Sequence, residues 1–143
     1  MNDRTMILVV EDNPADVFLV KEALKLHGIA ANLVVLDNGE KAVQWIEANE
    51  ISPHQPQPAA VILDLNMPKK NGAEVLGEIR ASKSLEKTPV IIFTSSSSNQ
   101  DKALLQRYPN TRYLRKSGDL DEFLKIGGVV REAIGGDSAE SSD

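Results

Sequence analysis

The sequence contains no cysteine and no long hydrophobic run. Without cysteine, the chain has no disulfides, no thiolate zinc site and no cysteine nucleophile, and such a composition fits a reducing compartment. The first apolar run, residues 6–10, stops at Glu11. It is too short for a signal peptide or for the roughly 20 residues of a membrane span. These absences together predict a cytoplasmic protein.

Basic residues are outnumbered by acidic ones, histidine is rare, and the common phosphate-binding motifs are absent. The chain carries 16 basic and 21 acidic residues, a net charge of −5, which argues against a nucleic-acid-binding or membrane-surface protein. The two histidines, His27 and His54, are isolated in the sequence and do not make a metal site. Neither G-x-x-x-x-G-K-[ST] nor G-x-G-x-x-G occurs, so nucleotide binding is not expected.

What the chain does contain is a regular alternation of apolar runs and helical stripes. Short apolar runs bounded by turn residues are typical of buried parallel strands. Such runs predict strands at 6–10, 32–36, 61–63, 90–94 and 111–115. In a chain of 143 residues, this βα alternation predicts one α/β domain, with a parallel sheet between two layers of helices.

Apolar residues at helical spacing predict five helices, one after each strand. The first helix has Leu26 at the end of its apolar stripe, and the last, over 119–134, has Leu120 on its apolar face. Gly127 and Gly128 lie inside that last helix, and two glycines cost about 2 kcal/mol relative to alanines. We therefore expect the last helix to be soft or kinked.

Four of the five predicted strands end in polar side chains that can do chemistry. Glu11 and Asp12 follow the first strand, Asp64 follows the third, Thr94 ends the fourth and Lys116 follows the fifth. In an open α/β sheet, ligands bind beyond the carboxyl ends of the strands. Three carboxylates, a hydroxyl and an ammonium are therefore expected to meet in one crevice, which suits a divalent cation and a phosphoryl group.

The carboxylates of this crevice predict a magnesium site. Adjacent strands are about 4.8 Å apart, so ionised Glu11, Asp12 and Asp64 would repel one another, and a dication would relieve that repulsion. Mg²⁺ binds few protein carboxylates and readily accepts phosphate oxygens. In this interpretation Asp64 is the nucleophile that forms an aspartyl phosphate. Asn66 adds its backbone carbonyl as a metal ligand, and Lys116 supplies a second cation.

Each of these residues taken alone has a purely structural explanation. Asp12, before Asn13 and Pro14, can cap a turn or a helix as readily as it binds a metal. Asp64 alone can be a turn residue, and Lys116 alone is most often a solvated surface lysine. The chemical interpretation therefore depends on their conjunction at the ends of three strands.

From residue 6 to about residue 134 the chain resembles the receiver domain of bacterial response regulators. The resemblance is carried by VVEDNPAD around the acidic pair, ILDLNMPKKNG around Asp64, IIFTSS at the end of the fourth strand and YLRK ending at Lys116. The spacings from Asp64 to Thr94 and to Lys116 are also similar to the family's. The EDNPAD opening and the long second loop are similar to single-domain regulators that partner bacteriophytochrome and cyanobacterial phytochrome kinases.

The resemblance implies a flavodoxin-like sheet of strand order 2-1-3-4-5 with five helices, in a receiver domain at 1–135. The small, polar and acidic composition of residues 136–143 predicts a disordered tail. The resemblance also implies a two-component phosphorelay. A histidine kinase, of the phytochrome type or acting through a phosphotransfer protein, would pass a phosphoryl group to Asp64 with Mg²⁺. The chain would catalyse only its own phosphorylation and dephosphorylation. It would signal through protein contacts, without nucleic acid or membrane.

The resemblance further assigns roles to single residues. The metal ligands it implies are three carboxylates and one carbonyl: Glu11, Asp12, Asp64 and the backbone carbonyl of Asn66. Thr94 matches the switch hydroxyl that turns toward the phosphate. Lys116 matches the family's lysine that supplies a second cation opposite the metal. Tyr113 matches the switch aromatic that moves inward, with plain core or edge packing as the alternative.

The chain departs from the family pattern after helix four and after strand five. Lys116 is followed by Ser117 and Gly118 where the family usually has proline, which leaves the ordering of that loop open. Residues 109–111, Pro-Asn-Thr, replace the usual Gly-Ala before strand five. The face formed by helix four, strand five and helix five is thus atypical. The resemblance implies, as a hypothesis, a homodimer through this face, and the uncommon residues there motivate it.

Two other functions compete with the phosphorelay interpretation. A small phosphohydrolase would also use an aspartyl phosphate, but such enzymes place an acid/base aspartate where this chain has Asn66. A pseudo-receiver, with the fold but no chemistry, is favoured only by the missing proline after Lys116. The retained acidic residues, hydroxyl and lysine argue against it.

Overall fold

Strands and helices alternate along the described chain until two helices follow the last strand. A computed structural model describes residues 5–67, 71–95 and 98–142, and for 136–142 it describes the backbone alone. The elements are β1 (Thr5–Val10), α1 (Pro14–Leu26), β2 (Ala31–Leu36), α2 (Gly39–Ile51), β3 (Ala60–Leu63), α3 (Gly72–Ala81), β4 (Val90–Thr94), α4 (Asn99–Arg107), β5 (Thr111–Arg115), α5 (Leu120–Phe123) and α6 (Ile126–Ser142). All five predicted strands are confirmed. Within these ranges, no helix is both long enough and apolar enough to cross a membrane.

The strands form one parallel sheet in the order β2-β1-β3-β4-β5, which confirms the predicted doubly wound architecture. Alternate residues of a strand point to opposite faces of the sheet. Ile7 and Val9 of β1 pack in a core cluster with α1 and α6, whereas Leu8 and Val10 pack in a second cluster with α2 and α3. The strands β3 and β4 are buried along their whole length, because helices cover both faces.

One asparagine sets the start of α1 next to the carboxyl end of β1. The Asn13 side-chain oxygen accepts hydrogen bonds from the N–H groups of Ala15 (2.9 Å) and Asp16 (3.4 Å). Pro14 occupies the first helical position, where its missing N–H costs nothing and its fixed φ favours the helix. The first turn of α1 is thereby held at the edge of the sheet where the polar residues collect.

The last helical region is divided, but the break does not fall at the two glycines, which both lie inside the second helix. The helix predicted over 119–134 is split into α5 and α6, with the break between Phe123 and Ile126. A Cβ atom on Gly127 would lie 2.3 Å from the carbonyl oxygen of Ala23 and 2.4 Å from Nδ1 of His27. The glycine therefore lets α6 approach α1 more closely than any other residue would allow.

Three further predictions, all about helix ends, differ from the structure. Leu26 and Leu120 are exposed, at 69% and 53%, so placing them on buried faces was wrong. Leu26 is the last residue of α1 and Leu120 is the first of α5, where each helix leaves the layer that it covers. The helix α6 continues to Ser142, beyond the predicted end at 134. The domain boundary at 135 and the disordered tail at 136–143 stay predictions.

Candidate functional site

The polar residues predicted to meet do lie together, beyond the carboxyl ends of β1, β3, β4 and β5. Their backbones are fixed because the parallel ladder continues past the strands. The N–H of Asp64 donates to the carbonyl of Val10 (3.0 Å), and the N–H of Lys116 donates to the carbonyl of Thr94 (2.8 Å). Glu11 and Asp64 are buried, at 4% and 6% exposed. A crevice of charged groups thus sits directly on the apolar core.

The Lys116 ammonium is the centre of this crevice. Its Nζ lies 2.6 Å from Oε1 of Glu11, 2.8 Å from Oδ2 of Asp16 and 3.1 Å from Oδ2 of Asp64. It also lies 5.9 Å from the centroid of the Phe93 ring. One cation is therefore shared among three carboxylates.

Burial and hydrogen bonding shift the pKa values of Glu11 and Lys116 in this crevice. Desolvation raises the pKa of Glu11 to about 7, with the charge of Asp64 adding to the effect and the hydrogen bond from Lys116 opposing it. Desolvation lowers the pKa of Lys116, but hydrogen bonds to Asp16 and Glu11 outweigh it and raise that pKa above its ordinary value. The lysine therefore stays a cation at neutral pH, while the carboxylates around it carry more negative charge than it can neutralise.

Three of the carboxylates are close enough to share a metal ion. Ligand oxygens of Glu11, Asp12 and Asp64 all lie within 4.8 Å of one another. These are hard oxygen ligands with one exposed member, Asp12, which suits an ion that keeps several waters. The residues therefore fit Mg²⁺, and a dication would relieve the repulsion that a single lysine leaves.

The remaining predicted residues are Asn66, which follows β3, Thr94, which ends β4, and Tyr113 on β5. The N–H of Asn66 donates to Oδ1 of Asp64 (3.1 Å), and its side-chain amide donates to Oγ1 of the fully buried Thr94 (3.4 Å). Tyr113 is half-buried and packs on the core cluster shared by α2 and α3. Its burial, with the charge of Asp101, raises the pKa of its hydroxyl. The structure thus links Asn66 to both the aspartate and the threonine.

Sequence reasoning missed one member of the crevice, Asp16. This residue is the third of α1, and its carboxylate lies 2.8 Å from Lys116 Nζ. The signal was present, because EDNPAD places an acidic residue in the first turn of a helix that starts beside the acidic pair. The sequence spacing of these residues does not indicate that this turn faces Lys116, which lies 100 residues away along the chain.

Known response regulators share both the sequence pattern and the fold of this chain. Residues 7–126 match the family profile described as the response regulator receiver domain. Response regulator Rcp1 from Synechocystis sp. is 36% identical over 125 residues, which cover 87% of this chain and 85% of that protein. The probable methanogenesis regulatory protein FilR2 from Methanothrix harundinacea is 35% identical over 132 residues, which cover 91% and 83%.

Solved structures give the same result. The phosphorylated cyanobacterial phytochrome response regulator RcpA matches with a TM-score of 0.78 and 31% identity, over 90% of this chain and 92% of that one. The Mn²⁺-bound form of Rcp1 matches with a TM-score of 0.75 and 36% identity over the same shares. The chain therefore belongs to the response regulator receiver family, with Mg²⁺ as its cofactor and a histidine kinase as its partner in a two-component phosphorelay.

Proposed function

We propose that Asp64 is the phosphoacceptor of this receiver domain. The observation that carries the proposal is the environment of its carboxylate. One oxygen lies 3.1 Å from the Lys116 ammonium, and the other accepts a hydrogen bond from the N–H of Asn66. The side chain is buried at the end of β3, so it is held in one orientation beside fixed positive charge, which is what an in-line attack on a phosphoryl group needs.

The metal ligands in this proposal are Glu11, Asp12, Asp64 and the backbone carbonyl of Asn66. The mutual approach of the three carboxylates supports the first three. When bound, Mg²⁺ neutralises charge on the transferring phosphoryl group. Lys116 supplies the second positive charge on the opposite side, and its raised pKa keeps it protonated there.

The reaction is a transfer of one phosphoryl group between two side chains. The P–N bond to the imidazole of the kinase's phosphohistidine breaks, and a P–O bond to Asp64 forms. Water later attacks the phosphorus of the acyl phosphate, which releases inorganic phosphate and returns the carboxylate. The chain catalyses only these two steps on itself, so we expect no turnover of other phosphate esters.

The switch of this receiver is proposed to be Thr94 with Tyr113. Thr94 ends β4, and its hydroxyl accepts a hydrogen bond (3.4 Å) from the side-chain amide of Asn66. Asn66 lies two residues after the phosphoacceptor Asp64. A phosphoryl group on Asp64 would compete for that hydroxyl. Tyr113 would then move inward on β5, and a local charge would change the face formed by α4, β5 and the last helical region, α5 with α6.

The partner is proposed to be a phytochrome-type histidine kinase or a phosphotransfer protein. The support is similarity, because the matched structures include response regulators of cyanobacterial phytochrome and of bacteriophytochrome. The proposal also includes homodimerisation through α4, β5 and the last helical region, α5 with α6. It further includes signalling without nucleic acid or membrane, and a cytoplasmic location. Light scattering before and after phosphorylation tests the dimer, and a monomer mass at every concentration would contradict it.

Incubation with acetyl phosphate and Mg²⁺, followed by intact mass spectrometry, tests the central proposal. We expect a gain of one phosphoryl group, about 80 Da, that requires the metal. The Asp64→Asn variant should show no gain. As a matched control, Asp37→Asn removes an exposed carboxylate at the end of β2 and should be labelled like the wild type. Labelling that persists in Asp64→Asn would sink the assignment.

A further inference from the structure

The carboxylate of Asp16 is held toward Lys116 by the start of α1. Asn13 ties this turn to the crevice from two sides, since its side-chain oxygen caps α1 and its own N–H donates to Oε2 of Glu11 (3.1 Å). Glu11 and Asp16 are thereby placed on either side of Asn13, and both reach the same ammonium. Asp16 is itself only 20% exposed in this pair.

The lysine that Asp16 contacts follows the last strand and precedes an unusual loop. Its backbone N–H is held by the carbonyl of Thr94. The next residue, Ser117, accepts a hydrogen bond from the N–H of Asp119 (3.0 Å) and has no ring to restrict the backbone. The direction of the long Lys116 side chain therefore depends on its carboxylate partners more than on its loop.

These partners differ in what else they are needed for. Among the described residues, Glu11 and Asp64 belong with Asp12 to the group that could hold a metal ion, and Asp16 lies outside that group. A lysine resting on Glu11 and Asp64 competes with a dication for the same oxygens. A lysine resting on Asp16, 2.8 Å away, does not compete.

Lys116 contacts all three carboxylates in this structure, and Asp16 alone among them lies outside the metal group. We propose that Asp16 is a positioning residue that gives the Lys116 ammonium a partner at the α1 side of the crevice, so that Glu11 and Asp64 can turn to Mg²⁺ when it binds. This inference rests on the proposed function, because it takes Glu11 and Asp64 as metal ligands. Asp16 thereby favours metal binding without touching the metal. It also keeps the lysine beside Asp64, where a phosphoryl group would arrive.

Calorimetric titration of the unphosphorylated chain with MgCl₂ tests this role through Kd, independently of phosphorylation. In Asp16→Asn the lysine keeps only Glu11 and Asp64 as carboxylate partners, so Mg²⁺ must displace it from both, and we expect Kd to rise roughly fivefold, within the range of couplings between neighbouring charges. Asp16→Glu should restore most of the affinity. Lys116→Met should bind Mg²⁺ more tightly than the wild type, because the competing cation is gone.

A double-mutant cycle separates positioning from simple loss of negative charge. If Asp16 acts through the lysine, Asp16→Asn should leave Kd within about twofold when it is made in the Lys116→Met background. The matched control is Glu22→Gln, which removes one negative charge from an exposed pair on the same helix and should not change Kd. Urea unfolding of each variant establishes that it is folded.

Equal changes in Kd in both backgrounds would show that Asp16 acts on the metal directly, and this would overturn the positioning role. An unchanged Kd in Asp16→Asn would overturn it as well. Labelling by acetyl phosphate is measured in parallel on the wild type. If the wild type is labelled normally but Kd for Mg²⁺ does not depend on Asp16, only this inference is wrong. If the wild type is neither labelled nor binds Mg²⁺, the proposed function is wrong as well.

Discussion

Two glutamates at opposite ends of the parallel strands show how differently one side chain can be used. We call the side of the sheet where the strands end the carboxyl edge, and the side where they begin the amino edge. Glu11, at the carboxyl edge, is buried among other carboxylates, and its pKa is raised to about 7, chiefly by desolvation. Glu50, near the end of α2 at the amino edge, accepts hydrogen bonds from the hydroxyls of Ser82 and Ser84. It also accepts one from the N–H of Ser84 (3.1 Å). These bonds lower the pKa of Glu50 to about 2.

The amino-edge group continues through Asn49, which is fully buried. Its side chain contacts the side chains of Gln57 and Ser84 and the backbone N–H of His54, over distances of 2.9–3.1 Å. His54 in turn stacks on Trp45, with 4.8 Å between ring centroids. Each of these hydrogen bonds joins an uncharged donor to a fixed acceptor. It therefore stabilises the loop before β3 and the start of the region leading to β4.

The difference teaches which edge is built for a ligand. At the amino edge the polar groups satisfy one another, so the folded chain needs nothing more. At the carboxyl edge one ammonium serves three carboxylates, and the metal-free state keeps uncompensated negative charge. A site with uncompensated negative charge in the free protein is stabilised most by a bound dication. The candidate functional site therefore lies where the folded chain leaves charge uncompensated.

The largest loss of stability is expected at the amino edge, from Asn49→Ala. Four hydrogen bonds are lost in a fully buried place, which should lower the free energy of unfolding by about 3 kcal/mol. Urea unfolding measures this loss. Labelling by acetyl phosphate should be unchanged in the native buffer. A labelling defect as large as that of a crevice variant would contradict the separation of the two edges.

The next largest loss is expected from Lys116→Met, measured without Mg²⁺. Removing the shared cation leaves three carboxylates near one another, which should cost about 2 kcal/mol, less than in a fully buried pair because the crevice is open. Mg²⁺ should recover part of the loss, since it binds only the folded state. The control, Lys41→Met, breaks an exposed pair with Asp37 and should cost under about 1 kcal/mol. A metal-independent loss would argue against a shared site.

A smaller, pH-dependent loss is expected from Glu50→Gln. Because the pKa of Glu50 is lowered to about 2 in the folded state, its contribution is present above the ordinary value of 4.5 and disappears as the pH falls toward 2. Thermal melting of wild type and variant should therefore differ at neutral pH and converge in acid. A constant difference at every pH would mean that the carboxylate charge is irrelevant.

The smallest effect, and one of opposite sign, is expected from Glu11→Gln in metal-free buffer. The raised pKa of Glu11 means that stability falls as the pH rises from 4.5 to about 7. Above that range the variant should therefore be more stable than the wild type, by about 1 kcal/mol after the lost ion pair is counted. The gain should vanish below the ordinary pKa. Destabilisation at pH 8 would show that the crevice is satisfied as it stands.

The sequence predicted the sheet and the main site residues because both depend on local patterns. Apolar runs define buried strands, and the residue after a parallel strand must lie at the carboxyl edge, so Glu11, Asp64 and Lys116 could be brought together on paper. Their individual roles stay proposals. The same logic failed at helix ends, where Leu26 and Leu120 continue an apolar period but are exposed.

What the sequence determined by itself is the order of elements and the identity of the charges at their ends, since both follow from short-range periodicity and turn chemistry. Only the tertiary structure decided how those charges are shared. The approach of α6 to α1 through Gly127, the contact of Asp16 with Lys116 and the opposite pKa shifts of two glutamates all depend on packing between distant segments. Electrostatic energy depends on distance and burial, and neither can be read along the chain.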